Sequence, residues 1–332
     1  MTDTLTLLLA GQNSITKVGF LKETLETDWR FELWNPDDDR DGLVKLLPTA
    51  DAVVGGNIVG GWPSVTRLKL YQIPFAGYNW ISPGDIPAGL TFCNTYEHEI
   101  PIAEYVLAGM LDWEMGYCKA TANFKSVGWD GVGAGQGPVH SEVYGKTVGV
   151  VGYGRIGQEV ARRADAFGMR VIGIARSERE TPAPLDWLGT MSELDRLLAE
   201  SDYVLVACPQ NDETLGMIDA GRFEAMKSDA VIINVARGPI IDEKSLYDAL
   251  ANNQIGGAII DVWYDYPEKG KNVDRPSQYD FHALDNIRMS PHVSGWTSAL
   301  LERRWTFVAR NLDRFARGEP VQNIVFEGTG TV

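Results

Sequence analysis

A ten-residue run, Val148-Gly149-Val150-Val151-Gly152-Tyr153-Gly154-Arg155-Ile156-Gly157, leads from an apolar strand through a G-x-G-x-x-G turn into the start of a helix. Few local sequences limit a fold so tightly. Gly152 permits the tight turn, Gly154 leaves the backbone bare for close approach of a pyrophosphate, and Gly157 lets helix and strand pack closely. The helix start adds free N–H groups and the positive end of a dipole. In this strand–turn–helix context a dinucleotide is the expected ligand. A ligand-free glycine turn and a methyltransferase loop are the other readings of such a turn.

The surrounding chain repeats the same alternation. Apolar strands are expected at Thr147–Val151, Arg170–Ile174, Tyr203–Ala207, Ala230–Asn234 and Ala258–Val262. Between them lie helices with one apolar stripe: Ile156, Val160, Ala164 and Phe167 up to Gly168; Leu194, Leu197 and Leu198 behind a Ser192 N-cap with Asp195 three residues on; and Leu246, Ala249 and Leu250 behind Asp242. Strands alternating with helices imply a parallel sheet covered on both faces. Upstream, Leu5–Ala10, Ala52–Val54 and Leu68–Gln72 read as strands of a second, smaller α/β domain. A long helix follows from about Pro101, ending before the glycine-rich stretch Gly128–Gly137.

With 332 residues the chain holds about two domains. Acidic residues outnumber basic ones 45 to 30, for a net charge of −15, so the surface repels phosphate backbones and anionic lipid. No nucleic-acid or membrane partner is expected, although a local basic pocket for one small anion is allowed. Cys93, Cys118 and Cys208 are too scattered for a disulfide framework or zinc site and are expected to be buried, inert thiols. His98, His140, His282 and His292 do not pair at ligand spacing, so no metal is expected. Leu5–Ala10 is too short for a signal core, which makes a reducing, cytoplasmic location the default.

The second strand of the glycine-loop unit decides the dinucleotide. A carboxylate at its end would bind the ribose 2′-hydroxyl of NAD. Here Ala175 holds that place and Arg176 follows, then Ser177. An arginine would hold a 2′-phosphate through charge-assisted hydrogen bonds. NADP is therefore expected over NAD. Loose or dual use, with Arg176 in solvent and NAD accepted as well, is the alternative.

Three further segments carry a resemblance. Asn234-Val235-Ala236-Arg237-Gly238-Pro239-Ile240-Ile241-Asp242-Glu243, Gly257-Ala258-Ile259-Ile260-Asp261-Val262 and Ser290-Pro291-His292-Val293-Ser294-Gly295-Trp296-Thr297 resemble the N-x-x-R-G, G-A-x-x-D-V and S-P-H-x-x-G-x-T motifs of the D-isomer-specific 2-hydroxyacid dehydrogenases. The resemblance implies two Rossmann-like, doubly wound domains with a cleft between them. Residues 1–100 completed by 298–332 would bind substrate, and 101–297 would bind the dinucleotide. It implies that Arg237 grips the carboxylate and carbonyl of a 2-oxo acid, that His292 is the acid in reduction and the base in oxidation, and that Asp261 bonds the nicotinamide carboxamide. The dinucleotide would run past Gly152, Gly154, Arg155, Ile156, Gly157, Arg176, Ser177, Cys208, Pro209, Thr214, Val235, Ala236, Asp261, His292 and Gly295. Gly56, Asn57, Gly77 and Tyr78 would turn toward the substrate carboxylate. Tyr96 or His98 would shape the substrate pocket, or else lie in a solvated loop. Asn123–Tyr144 would form the arm of a homodimer. Glyoxylate or hydroxypyruvate reduction is the nearest concrete reaction; a non-catalytic cofactor sensor or corepressor on the same fold is the rival.

One position departs from the family. An acidic residue usually stands five places after the strand aspartate and pairs with the histidine; here that place is Tyr266. A tyrosine can hydrogen-bond imidazole but gives the protonated form no ionic partner. A lowered His292 pKa and a reductase optimum at lower pH are expected. Four readings stay open: Tyr266 works in that place, Asp265 or Glu268 reaches His292 through a loop shift, acid/base catalysis is unneeded as in formate dehydrogenases of the family, or catalysis is lost.

Overall fold

The described strands fall into two separate sheets. The computed structural model describes residues 4–35, 40–78, 80–129, 135–137, 139–267 and 273–331. The chain divides into two units, Met1–Glu97 with Thr297–Val332, and His98–Trp296.

The first unit contains β1 (Leu5–Ala10), β2 (Trp29–Trp34), β3 (Ala52–Val54), β4 (Leu70–Gln72), β5 (Thr91–Cys93) and, from the far end of the chain, a strand at Ile324–Glu327. That last strand pairs antiparallel with β5, and all other pairings are parallel. Period-two alternation sorts β1 between two cores. Leu7 and Leu9 pack with Trp305, Val308 and Leu312 of helix Ser298–Ala316. Leu8 and Ala10 pack with Leu43, Tyr71 and Phe92 on the other face. Gln72 pins the last helix to the sheet: buried at the end of β4, it accepts from Asn311 Nδ2 at 2.7 Å and donates to Thr95 Oγ1 at 3.0 Å.

The second unit carries a wholly parallel sheet built from β6 (Thr147–Val151), β7 (Arg170–Ile174), β8 (Trp187–Gly189), β9 (Tyr203–Val206), β10 (Val231–Asn234), β11 (Gly257–Ile260) and β12 (Ile287–Met289); Ile324–Glu327 of the first unit is then β13. The spatial order is β12-β11-β10-β9-β6-β7-β8. Strand order therefore reverses between β6 and β9, the place where open parallel sheets bind ligands at their carboxyl ends. Helices Glu99–Met115 and Arg155–Ala166 bury Val106, Met110, Val160 and Ala164 on Val148, Val150, Leu205 and Ile259. On the opposite face Leu197, Phe223, Leu246 and Leu250 cover Val204, Ile232 and Ile260. Both units are Rossmann-like α/β folds.

Several local expectations are corrected. The long helix breaks at Gly116, whose φ of 61° closes Glu99–Met115 through its N–H on Asp112 O, while the Asp112 carboxylate accepts from Cys118 N at 2.8 Å and starts Tyr117–Val127. Ser192 caps nothing: it sits in a 3-10 turn, Met191–Glu193, with its hydroxyl on Thr190 Oγ1, and the helix begins at Leu194. Phe167 is exposed, because Arg155–Ala166 ends one residue before it. Cys118 is exposed and Cys208 only partly covered; Cys93 alone of the three is buried. Among the described residues no helix is long and apolar enough to cross a membrane.

Candidate active site

The glycine turn owes its shape to what its residues lack. Gly152 has φ +105°, and a Cβ there would come within 2.5 Å of Cys208 N and 2.7 Å of Cys208 Cα. The turn after β6 and the run-out of β9 therefore touch backbone to backbone at the reversal point. A Cβ on Gly157 would lie 2.5 Å from Gly152 O. Gly154 differs: no protein atom lies within 4 Å of its Cβ position. Helix Arg155–Ala166 starts there with no side-chain cap, which leaves its first N–H groups without a side-chain acceptor. Two tight glycines holding one bare glycine at a helix N-terminus fit a pyrophosphate.

Around this turn the other residues expected to meet the cofactor are distributed as follows. Arg155 approaches Glu99, with Nη1 3.8 Å from Oε1, and Ile156 packs on the core beside it. Arg176 and Ser177 are exposed beyond β7, and Ala175, at the acidic position, is buried. Sequence reading passed over Arg179, which donates to Tyr153 O at 2.7 Å and lies over the Tyr153 ring at 5.5 Å. It braces the glycine turn from the loop beyond β7. After β9, Cys208 is half-buried and its thiol is pushed up to about 11 by burial, which leaves it unreactive. Pro209 is exposed; its carbonyl accepts from Thr214 Oγ1 at 2.8 Å, and Thr214 Oγ1 accepts from Asn211 N at 2.8 Å.

Three consecutive strands then present the polar side chains. At the end of β10, buried Asn234 shapes the turn that carries Arg237: its Oδ1 accepts from Ala236 N at 3.0 Å and its Nδ2 donates to Arg237 O at 2.9 Å. Val235 and Ala236 are buried and Arg237 is exposed. Gly238 is required next, since a Cβ there would run into the backbone carbonyl of Trp263. That contact sets the Arg237 turn against the run-out of β11.

Beyond β11 the buried carboxylate of Asp261 accepts from Ser290 Oγ, from Val293 N at 2.9 Å and from Ser294 N at 2.9 Å. These donors flank His292, whose φ of 58° is unusual for a residue with a side chain. Asp261 thus holds the left-handed backbone of the histidine. Trp263 adds an indole N–H bond to Ser290 O at 2.8 Å. Gly295 follows, its Cβ position in ordinary contact with Ile102 and His98.

The His292 Nδ1 atom lies 3.0 Å from the Tyr266 hydroxyl, which also accepts from Trp263 N at 3.1 Å. Asp265 is exposed, its backbone N–H bonded to Pro276 O, and Glu268 lies outside the described residues. The His292 pKa is lowered below its ordinary value by partial burial; the Asp261 charge opposes this and the Arg237 charge adds to it. Burial raises the Tyr266 pKa, with Trp263 N–H and Arg237 opposing, so the phenol stays neutral.

The residues expected to turn toward the substrate carboxylate belong to the first unit. Gly56 (φ +72°) and exposed Asn57 follow β3, and Gly77 and exposed Tyr78 follow β4, all at carboxyl ends of that sheet. Tyr96 O accepts from Arg304 Nε at 3.0 Å, whereas His98 is the N-terminal residue of helix Glu99–Met115 in the second unit. The expected arm, Asn123–Tyr144, includes residues 130–134 and 138, which lie outside the described residues.

Over residues 107–294 the chain matches the family described as D-isomer specific 2-hydroxyacid dehydrogenase, NAD binding domain. It is 31% identical over 308 residues to a glyoxylate reductase of Pyrococcus furiosus, covering 89% of this chain and 88% of that one. With a glyoxylate reductase of Thermococcus kodakarensis it shares 40% identity over 184 residues, 55% of this chain and 53% of that one. A solved D-isomer specific 2-hydroxyacid dehydrogenase family protein from Aeromonas salmonicida shares the fold with a TM-score of 0.78 at 24% identity, over 98% of this chain and 99% of that one.

Proposed function

We propose, from the premise that the chain belongs to the D-isomer specific 2-hydroxyacid dehydrogenase family, that it reduces small 2-oxo acids to (R)-2-hydroxy acids, with NADP(H) as its dinucleotide and glyoxylate or hydroxypyruvate as its substrate type. The observation that carries this reading is the Tyr266–His292 bond, with the Arg237 charge acting on both groups, beyond three adjacent strands of the sheet that also bears the glycine turn. The similarity to a glyoxylate reductase over most of both chains supports the substrate type.

Each residue has a chemical task in this reading. The planar Arg237 guanidinium binds the carboxylate and polarises the neighbouring carbonyl, a fit that a lysine ammonium does not reproduce. The dinucleotide, when bound, supplies the hydride. His292 delivers the proton to the carbonyl oxygen, as general acid. Asp261, Asn234 and Trp263 hold these two side chains through the backbone bonds described above. Arg176 binds the 2′-phosphate, and buried Ala175 offers no carboxylate to repel it. Steady-state rates with NADPH and NADH over a panel of 2-oxo acids test the reading. NADPH is expected to be favoured, and Arg176→Ala to weaken NADPH by about tenfold or more while sparing NADH. Better use of NADH by the wild type would overturn the cofactor assignment.

The protein is further proposed to be a homodimer. Helix Tyr117–Val127 has no buried residue, yet Tyr117, Phe124 and neighbouring Trp129 are 67%, 52% and 62% exposed. Apolar surface of this kind is normally covered by a partner. A monomeric mass in sedimentation equilibrium at micromolar concentration would refute it.

A further inference from the structure

The bond between Tyr266 and His292 could run either way, and the neighbours of the phenol oxygen bear on which way it runs. Trp263 N–H is a pure donor and lies 3.1 Å from the Tyr266 oxygen, so that oxygen accepts. The hydroxyl has one proton of its own, and among the described residues its only other partner is His292 Nδ1 at 3.0 Å. A neutral imidazole has one protonated and one bare nitrogen. If Nδ1 receives the phenolic proton, Nδ1 is bare and Nε2 carries the hydrogen.

We propose that Tyr266 is a positioning residue which, aimed by the Trp263 backbone N–H, fixes neutral His292 as the tautomer protonated at Nε2. A carboxylate in the same place would impose the opposite tautomer, because a carboxylate only accepts and therefore calls for a hydrogen on Nδ1. Tyr266 also stays compatible with the charged state. When His292 is protonated on both nitrogens, the bond turns round and the phenol oxygen accepts Nδ1–H on its second lone pair. His292 therefore keeps an N–H at Nε2 in both protonation states. Among the described residues, the charges acting on the ring are Arg237 from the β10 turn and Asp261 from the β11 run-out, and neither bonds Nδ1.

The consequence for catalysis rests on the reductase reading above. Nε2–H can hydrogen-bond a substrate carbonyl whether the ring is neutral or charged, but only the charged ring gives up a proton readily. As pH rises through the His292 transition, kcat should fall while KM for the 2-oxo acid stays nearly constant.

Nitrogen-15 histidine NMR of the full chain tests the tautomer without substrate or cofactor. The chain has four histidines, so the signals missing from His292→Gln identify the residue. Above its transition, wild-type His292 is expected to show a protonated Nε2 and a bare Nδ1. A hydrogen bond donated to the neutral form lowers a base's pKa, so Tyr266→Phe should move the transition up toward the ordinary imidazole value of about 6.5. Tyr266→Glu should move it higher still and place the hydrogen on Nδ1. A hydrogen on Nδ1 in the wild type, or a transition unchanged or lowered in Tyr266→Phe, would overturn the proposal. A KM that climbs in step with the fall in kcat would overturn the catalytic consequence alone. Absence of turnover with every 2-oxo acid would refute the reductase reading and leave the tautomer result standing.

Discussion

The glycine turn after β6 and the histidine loop after β12 leave the same end of the same parallel sheet, but they are shaped by opposite means. The turn depends on missing side chains: Gly152 and Gly157 have backbone where a Cβ would be, and Gly154 has open space. Its instructions are contiguous. The histidine loop depends on a buried carboxylate from another strand, Asp261, which gathers Ser290 Oγ, Val293 N and Ser294 N around a left-handed His292. Its instructions are about 30 residues apart in sequence. The proposed dinucleotide turn is thus encoded locally, whereas the loop proposed to carry the acid is assembled through tertiary contacts.

The sharpest way to separate the two regions is to remove the reacting-end arginine. Arg237→Ala should lower kcat/KM by about 10³-fold, the scale seen when a charge-stabilising donor is lost, while dinucleotide affinity measured by fluorescence titration stays near wild type. A comparable loss of dinucleotide affinity would show that the two regions are not separate. Arg237→Lys should recover only part of the loss.

Asp261→Asn attacks the loop's anchor. One carboxylate oxygen is replaced by an NH2 group that cannot accept, leaving at least one buried N–H without its partner. A stability loss of about 2–3 kcal/mol is expected in urea unfolding, with a fall in kcat because His292 is no longer held. Unchanged stability would mean that the loop holds its shape without the carboxylate.

The glycine turn can be divided within itself. Gly152→Ala places a methyl group against Cys208 backbone in a φ region unfavourable to side chains, and should cost about 1–3 kcal/mol of stability. Gly154→Ala has φ −93° and free space, so its melting temperature should match wild type while NADPH affinity drops by about tenfold. If both variants lose only stability, the open space at Gly154 is not where phosphate binds.

The same contrast explains what could be read from the chain in advance. Strand β6 falls on the expected Thr147–Val151, and Asp242 caps its helix through Ser245 N, because both signals are local. Strand β13 was missed: Ile324–Glu327 is a short, largely exposed run whose partner, β5, lies more than 200 residues earlier. The break at Gly116 was hidden by apolar periodicity continuing on either side. At the site, the residue types Arg237, Tyr266 and His292 were legible from their motifs. The roles of Asn234, Arg179 and Trp263 were not, since these act through backbone carbonyls and N–H groups that no side-chain pattern records. The departure at Tyr266 was visible as a missing charge, but its bond to His292 Nδ1 and the Trp263 N–H behind it depend on the folded loop.

Product analysis tests the central claim most directly. Wild-type enzyme incubated with hydroxypyruvate and limiting NADPH is expected to yield (R)-glycerate, one molecule for each NADPH consumed. Formation of (S)-glycerate, or tight NADPH binding with no consumption on any 2-oxo acid, would contradict the account.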